Sequence, residues 1–428
     1  MLNETHDPSL HSWVASAQLP GCDFPLQNLP HGVFRRQGSS EPWRGGVAIG
    51  DAILDLAAAH AQGVFSPAAD SAAQAASAAS LNRLMALGPA AWSALRLDLS
   101  RLLREGAPQA LQLAGCLFPQ AQAEYAVPAR IGDYTDFFTS QYHALNAGRI
   151  FQPQNALLPN FKWLPIGYHG RASSVAISGS AVLRPQGQTR APAAAAPQFG
   201  PTQKLDYELE LGVFVGPGNP RGTAIDIDAA DQHAFGLCLL NDWSARDVQA
   251  WESMPLGPFM AKNFTTSISP WIVTLEALAP FRVPLPREAG DPAALPYLQS
   301  AQVQALDIQL EAWLAPPGAS QATRLSRTSY RHAYWTVAHM LAHHASNGCN
   351  LQPGDLLGTG TQSGPTNGEQ GCLLELSQDG RTPITLADGS QRSYLQDGDT
   401  LTLRGWCERP GQARIGFGSC VGSVLAAA

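Results

Sequence analysis

Lysine is scarce in this chain. Its 428 residues hold three, Lys162, Lys204 and Lys262, and arginine supplies the other 24 basic side chains. A compositional bias explains the general depletion, but an exchangeable surface lysine would have become arginine, so the three survivors are candidates for a specific task. No Lys/Arg-rich run occurs and the formal net charge is −7, which argues against nucleic acid or an anionic membrane as partner. The seven cysteines are odd in number and contain no C-x-x-C pair. That speaks against a disulfide framework or a thiolate zinc site and for reduced thiols in a cytoplasmic setting. No apolar run reaches the ~18 residues a membrane helix needs, and the opening MLNETHDPSL lacks the basic start and apolar core of a signal peptide. The expectation is a soluble cytoplasmic protein. No G-x-S-x-G occurs, so a serine-nucleophile elbow is not supported.

Hydrophobic residues make up 45% and charged residues only 14% of the sequence, which leaves room for much buried surface, a subunit interface included. The length is too great for one comfortable core. Two domains are expected, 1–126 and 127–428. In the first, short strands are read at 33–35, 46–49 and 52–56 around a Gly50-Asp51 hairpin signal. An Ala-rich helical region follows at 66–105, where Trp92, Leu95, Leu99, Leu102 and Leu103 keep the 3.6-residue period behind Pro89. The Ala run at 70–80 reads as helix or linker. The second domain is rich in strands: 205–215, 235–240, 271–276, 302–314, 356–361, 372–377 and 400–406. A loop is expected at 185–203, a short helix from Asp242 or Ser244 to about Glu252, and another helix at 333–345. The fold class is mainly β (α+β).

The stretch 204–215, KLDYELELGVFV, alternates. Leu205, Tyr207, Leu209 and Leu211 share one face of a strand, and Asp206, Glu208 and Glu210 share the other. Carboxylates about 7 Å apart on that face repel by roughly 2 kcal/mol per adjacent pair at an effective dielectric of ~20. Two readings are open: an edge strand with its acids in water, or a carboxylate cluster entering the core and holding a cation. The strand runs on into Val213, Phe214 and Val215, which favour burial on both faces.

Two other patterns read as structural. His339 and His343 are i, i+4 on a helix, but Met340 stands where a zincin has glutamate, and His343 and His344 precede a helix stop at Asn347-Gly348. The glycine-rich runs 358–364 and 416–422 lack phosphate-loop spacing and open no helix; they read as hairpin turns.

Four further segments carry side chains that would complement the acidic strand. Residues 131–143 offer Asp136 and His143, a possible general base. Residues 237–252 end an apolar strand at Asn241-Asp242 and place Arg246 and Gln249 at i, i+3 on the next helix. Lys262 follows a Pro/Gly turn. Thr361 lies in a loop, with Glu375 on the strand after it.

Taken together these segments resemble the fumarylacetoacetase (fumarylacetoacetate hydrolase) family. The strings that carry the resemblance are IGDYTDFF, NALLPN, LPIGYHGRASS, LDYELELGVFVGPGNP, LNDWSARD, PLGPF, ISPW, NGCNLQPGDLLGTGT and LLELS, through most of 131–377, with GFGSCVG near the C-terminus. The resemblance implies an SH3-like N-terminal barrel followed by a large β-sandwich roll, and a homodimer. It implies a divalent cation, Mg²⁺ or Ca²⁺, on Asp136, Glu208, Glu210 and Asp242, and a second Mg²⁺ site near Asp242, Lys262 and Thr266. Asp206 is not among the implied ligands and is expected to face water. The water-activating base falls on His143, oriented by Glu375. Oxyanion contacts fall on Arg246, Gln249 and Lys262, and substrate contacts on Tyr168, Gln249 and Thr361. Three substrate positions depart from the family pattern: Phe138 replaces a tyrosine, Gln152 an arginine and Ser253 a tyrosine. Arg149 is a nearby substitute for the missing cation. The implied reaction is hydrolysis of the C–C bond of a β-diketo acid, fumarylacetoacetate giving fumarate and acetoacetate in tyrosine and phenylalanine catabolism. The alternatives are a related acylpyruvate-type hydrolase, a metal-dependent β-keto acid decarboxylase or isomerase, and a catalytically silent binding protein.

Overall fold

A computed structural model describes residues 2–428. The N-terminal part is a five-stranded antiparallel sheet in the spatial order Leu117–Pro119, Ala52–Asp55, Arg44–Ile49, His31–Arg36, Ala123–Ala126. The Gly50-Asp51 signal is the hairpin expected: Ile49 pairs with Ala52, and Gly50 takes φ +58, which a side chain would resist. Asp70–Ala76 and Pro89–Leu103 form helices within the Ala-rich region. The second has Pro89 in its first turn and buries Leu95, Leu99, Leu102 and Leu103.

The remainder is built on two sheets. One runs Gly167–His169, Tyr134–Phe137, Leu356–Gly358, Leu209–Val215, Ala234–Asp242, Thr266–Ile268, Val175–Ile177, with Val273–Thr274 also on Ala234–Asp242. The other runs Thr323–Ser329, Gln309–Ala315, Thr400–Cys407, Ile415–Leu425, Ala181–Leu183. They pack face to face, and glycines make the close approaches. A Cβ on Gly405 would lie 2.8 Å from Leu239, and one on Gly422 would lie 2.4 Å from Trp243. Leu209–Val215 and Ala234–Asp242 are buried at every position, as strands covered on both faces must be. The architecture is mixed α+β and mostly sheet.

Several elements differ from the sequence reading. The acidic stretch is not one strand: Leu205–Asp206 pairs with Ser244–Ala245, the chain breaks at Tyr207-Glu208, and Leu209–Val215 joins the large sheet. Residues 185–203 contain a two-stranded hairpin, Gln186–Thr189 against Gln198–Pro201. The strand expected at 372–377 is a short helix, Leu373–Leu376. Four apolar residues around one acid fit a strand and a buried helical turn equally well, and packing decided for the turn. The helix at 333–345 is shorter, Val337–Ala345, and starts from a reciprocal cap between Thr336 and His339. His339 is buried there, and desolvation pushes its imidazole down to about 3. His343 meets the Tyr297 hydroxyl at 3.0 Å and His344 that of Thr135 at 2.9 Å. Among the described residues, the side chains that converge as potential metal ligands lie elsewhere.

Candidate metal centre and hydrolytic site

Four neighbouring strands, three of them carrying an acid, bring the carboxylates together. Tyr134–Phe137 lies parallel to Leu356–Gly358 with Asp136 beside Gly358, and Gly358 faces Gly212 of Leu209–Val215. That strand pairs in turn with Ala234–Asp242, Leu209 opposite Asn241. Asp136, Glu210 and Asp242 therefore point into one space, and Glu208 reaches it from the break before its strand. One oxygen from each of the four lies within 4.8 Å of the others, and all four side chains are buried. Opposite vertices around an ion with bonds of 2.0–2.6 Å are about 4–5 Å apart, so the spacing suits one cation. Gly358 keeps the space open: a Cβ there would stand 2.7 Å from Asp136 Oδ1 and 3.1 Å from Glu210 Oε2.

The charges are only partly compensated. Lys262 Nζ donates to Glu208 Oε2 at 2.5 Å and to Asp242 Oδ2 at 2.9 Å. Arg246 Nη1 donates to Glu208 Oε1 at 2.8 Å, and its Nε donates to Asp206 Oδ2 at 2.9 Å. Asp242 also accepts from Thr266 Oγ1 at 3.0 Å and from the Tyr168 hydroxyl at 3.1 Å. Glu210 Oε2 accepts from the Gly360 amide at 2.9 Å. Two oxygens, Asp136 Oδ1 and Glu210 Oε1, are buried with no partner.

The protonation equilibria follow this imbalance. Burial, then repulsion from Asp242, holds the Asp136 carboxyl well above the usual range; burial, then Asp136 and Glu208, does the same to Glu210. Burial also raises Asp242, against the pull of Lys262. Glu208 is likewise desolvated, but Lys262 and Arg246 flank it and bring it below the ordinary value. Lys262 is raised although burial opposes its charge, because Asp242 and Glu208 hold the proton on. Five buried carboxylates, Asp206 included, share two fixed cations, and the orphaned oxygens belong to the acids without one. The all-oxygen set fits a hard divalent cation. In the group Asp242, Lys262 and Thr266, the ammonium is a donor, so only the other two offer side-chain oxygens.

His143 stands in the first turn of the helix Gln141–Phe151, which Ser140 caps through the His143 amide. Its Nδ1 is 2.7 Å from Glu375 Oε2. Glu375 lies in the Leu373–Leu376 helix and is fixed from three more sides: Asn146 Nδ2 at 2.9 Å, Ser363 Oγ at 2.9 Å from both oxygens, and Cys372 Sγ at 3.2 Å. Burial opposes the Glu375 charge, but His143, Asn146 and Cys372 together outweigh it and the carboxyl sits below its ordinary value. An Nδ1–H donating to Glu375 leaves Nε2 as the acceptor, the form a general base requires.

Asp136, Glu208 and the imidazole line one cavity of about 520 Å³; Glu210 and Asp242 complete the carboxylate cluster without lining it. Arg246, Gln249, Lys262, Tyr168 and Thr361 line it too, and Phe138 stands edge-on to the His143 ring at 5.3 Å. Arg246 Nη2 and Thr361 Oγ1 are buried without partners. Gln152 and Ser253 do not line the cavity: each caps the C-terminus of a helix, Gln152 exposed and Ser253 half-buried. Phe151 and Leu256 line it instead, one residue before Gln152 and three after Ser253. Arg149 lines an adjoining hollow with Asn146, Glu375 and Arg381.

Asp206 does not face water. It is fully buried, and the strand break beside it turns it toward Arg246. The run 358–364, read as a plain turn, contributes Gly358, the Gly360 amide and Ser363 to the site. Asn146 was within reach of the sequence, as the i+3 neighbour of His143 on one helix face; nothing local marks Ser363 or Cys372.

Two family descriptions match the chain: "Fumarylacetoacetase N-terminal" over residues 27–128 and "Fumarylacetoacetate (FAA) hydrolase C-terminal" over residues 135–425. The chain is 47% identical to a fumarylacetoacetase of Oryza sativa subsp. japonica over 98% of both chains. It is also 47% identical to the fumarylacetoacetase of Homo sapiens, over 95% of this chain and 97% of that one. Among solved structures, the fumarylacetoacetate hydrolase from Exiguobacterium antarcticum superposes with a TM-score of 0.51 at 18% identity, covering 93% of this chain and 99% of that one.

Proposed function

This chain belongs to the fumarylacetoacetate hydrolase family, and from that premise we propose how its buried site hydrolyses the C–C bond of fumarylacetoacetate to give fumarate and acetoacetate. One observation carries the reading. The held imidazole, two of the four converging carboxylates, Asp136 and Glu208, and the residues with unpartnered polar atoms, Asp136, Arg246 and Thr361, line a single cavity.

Asp136, Glu208, Glu210 and Asp242 would hold the divalent cation, Mg²⁺ or Ca²⁺. Bound there, it would supply Lewis acidity toward the carbonyl groups of the substrate. His143 Nε2 takes a proton from water while Glu375 fixes the ring through Nδ1 and stabilises the imidazolium. The hydroxyl joins the fumaroyl carbonyl carbon. Arg246 Nη2, the free amide of Gln249 and the remaining Lys262 proton meet the oxyanion that develops, a contribution commonly of ~3 kcal/mol per donor. The C–C bond then breaks, its electron pair leaves with the acetoacetate carbon, and the proton held by His143 returns to that carbon. Tyr168 and Thr361 orient the substrate. Thr266 steadies Asp242, and Phe138 presents an apolar edge to the acyl group. Gln152 and Ser253 act at most through the neighbouring Phe151 and Leu256.

The same reading includes an SH3-like barrel within 1–126, a catalytic unit over 127–428, a homodimer and a cytoplasmic location. Low charge content supports the dimer, and the thiols, all free, support the compartment.

The substitutions at Phe138, Gln152 and Ser253 keep a related hydrolase of acylpyruvates as the second reading; of the three only Phe138 lines the cavity, and the two cations there, Arg246 and Lys262, are both paired with carboxylates. Turnover of fumarylacetoacetate and of acylpyruvates with Mg²⁺ present, followed by chromatography of the acids released, separates the two. Fumarate in a 1:1 ratio with consumed diketone is expected. Release of CO₂ in place of two acids, or activity surviving His143→Ala within tenfold, would remove the hydrolytic reading in favour of decarboxylation or isomerisation.

A further inference from the structure

Asp206 has no part in the reaction just described, yet it is fully buried and its acceptor capacity is filled. Oδ1 accepts from the Leu373 amide at 2.7 Å and the Tyr207 amide at 2.8 Å; Oδ2 accepts from the Leu374 amide at 3.0 Å and from Arg246 Nε at 2.9 Å. Leu373 and Leu374 open the short helix whose third residue is Glu375. Cys372, the residue before that helix, makes no side-chain cap, so the carboxylate from a distant strand satisfies amide groups that a cap would otherwise take. The backbone of Asp206 is itself fixed against the approach to Arg246: Asp206 pairs with Ser244, and the Arg246 amide donates to the Lys204 carbonyl at 2.9 Å.

On the reading above, Arg246 meets the oxyanion and Glu375 holds the base. These groups come from segments more than 120 residues apart in sequence, and one carboxylate bonds to both. We propose that Asp206 is a positioning residue that couples the Arg246 guanidinium to the helix carrying Glu375, so that the oxyanion contact and the imidazole are set by one hinge-free link. The chemistry demands the anion. An asparagine would present its NH₂ either to the Leu373 and Tyr207 amides or to the Leu374 amide and Arg246, placing donor against donor in both orientations.

The test uses the full-length, Mg²⁺-loaded protein and its Asp206→Asn variant. Fumarylacetoacetate turnover is expected to fall about 100-fold in kcat with KM within about threefold, because misplacing a catalytic group acts on the transition state. In ¹⁵N-histidine-labelled protein without substrate, the downfield Nδ1 proton that His143 shares with Glu375 is expected to shift or exchange away. On a Glu375→Gln background, adding Asp206→Asn should lower kcat by less than about threefold further, since the two act on one unit. Wild-type kcat in the single variant, full multiplication of the two losses, or an unmoved His143 proton overturns the proposal. Should Asp206→Asn not fold, Arg246→Lys decides: it retains the charge and removes the Nε donor, and the His143 proton must still move for the coupling to stand. The imidazole signal is read without turnover, so its outcome is separate from whether fumarylacetoacetate is the substrate.

Discussion

At the scale of single residues, the site depends on one absent side chain and one retained lysine. Gly358 lies where a methyl group would press on Asp136 Oδ1 at 2.7 Å, the Tyr134 hydroxyl at 2.9 Å and Glu210 Oε2 at 3.1 Å. If the four acids hold the cation as proposed, Gly358→Ala is expected to weaken Mg²⁺ or Ca²⁺ binding at least about tenfold in isothermal titration, the loss of ~1.4 kcal/mol, since shifting one of the four carboxylates suffices. Lys262 is the only lysine of the three in the cavity, and it bridges Glu208 and Asp242. Removing one partner of a buried ion pair costs about 3–5 kcal/mol, because the other is left buried and uncompensated. Lys262→Met should therefore lower the thermal midpoint of the chelated protein, and a divalent cation should restore more of it than in the wild type. Equal restoration in both proteins would mean that the ammonium and the cation do not share the same acids.

At the scale of elements, the site is held by strands that have no freedom to slide. A one-residue slip of Leu209–Val215 against Ala234–Asp242 would turn Glu210 away from Asp242 and into the opposite face. The two sheets fix this register from behind through close contact at Gly405 and Gly422. Gly422→Val forces atoms against Trp243, which directly follows Asp242. Overpacking of this kind costs about 1–3 kcal/mol. A fall in the denaturant midpoint with an unchanged slope is expected, together with weaker cation binding. Full stability in that variant would show that the sheets can separate there without disturbing the acids.

At the scale of the whole molecule, the N-terminal sheet and the larger part share a core. Val33, Leu84 and Leu99 pack in one cluster with Phe214, Phe235, Leu240 and Ile272, and the main chains of His31 and Ile272 exchange hydrogen bonds at 3.0 and 2.8 Å. Strain or charge in the acid cluster is therefore felt as global stability. Asp136, Glu210 and Asp242 have folded pKa values raised above those of the unfolded chain, so the metal-free fold binds more protons than the unfolded state above pH ~4 and loses stability as pH rises through that window. Glu208 and Glu375 are depressed; their contribution is complete above ~pH 4 and is lost only in more acid solution. Calorimetry of the chelated protein should accordingly show a lower midpoint at pH 8 than at pH 6. The increment given by a cation at ~100 times its Kd, about 2.7 kcal/mol at one pH, should be larger at pH 8. An increment independent of pH would contradict the linkage.

The sequence by itself determined what depends on residue type and short spacing. The Gly50-Asp51 hairpin, the helix behind Pro89, a strand running through to Val215 and the acids on alternate positions of 206–210 were legible because local sterics and side-chain period write them into the chain. The strings shared with a known family carried the assignment of Asp136, His143, Asp242, Lys262 and Glu375 to one reaction. Tertiary structure alone decided what depends on neighbours distant in sequence. It broke the acidic strand at Tyr207-Glu208, turned 373–376 into a helix, left Gln152 and Ser253 outside the cavity, and buried Asp206 against Arg246 and two amide groups. A carboxylate at that position is indifferent, by sequence, between water and a core. The guanidinium and backbone donors that make its burial favourable arrive from 40 and from nearly 170 residues away, and only the folded chain brings them together.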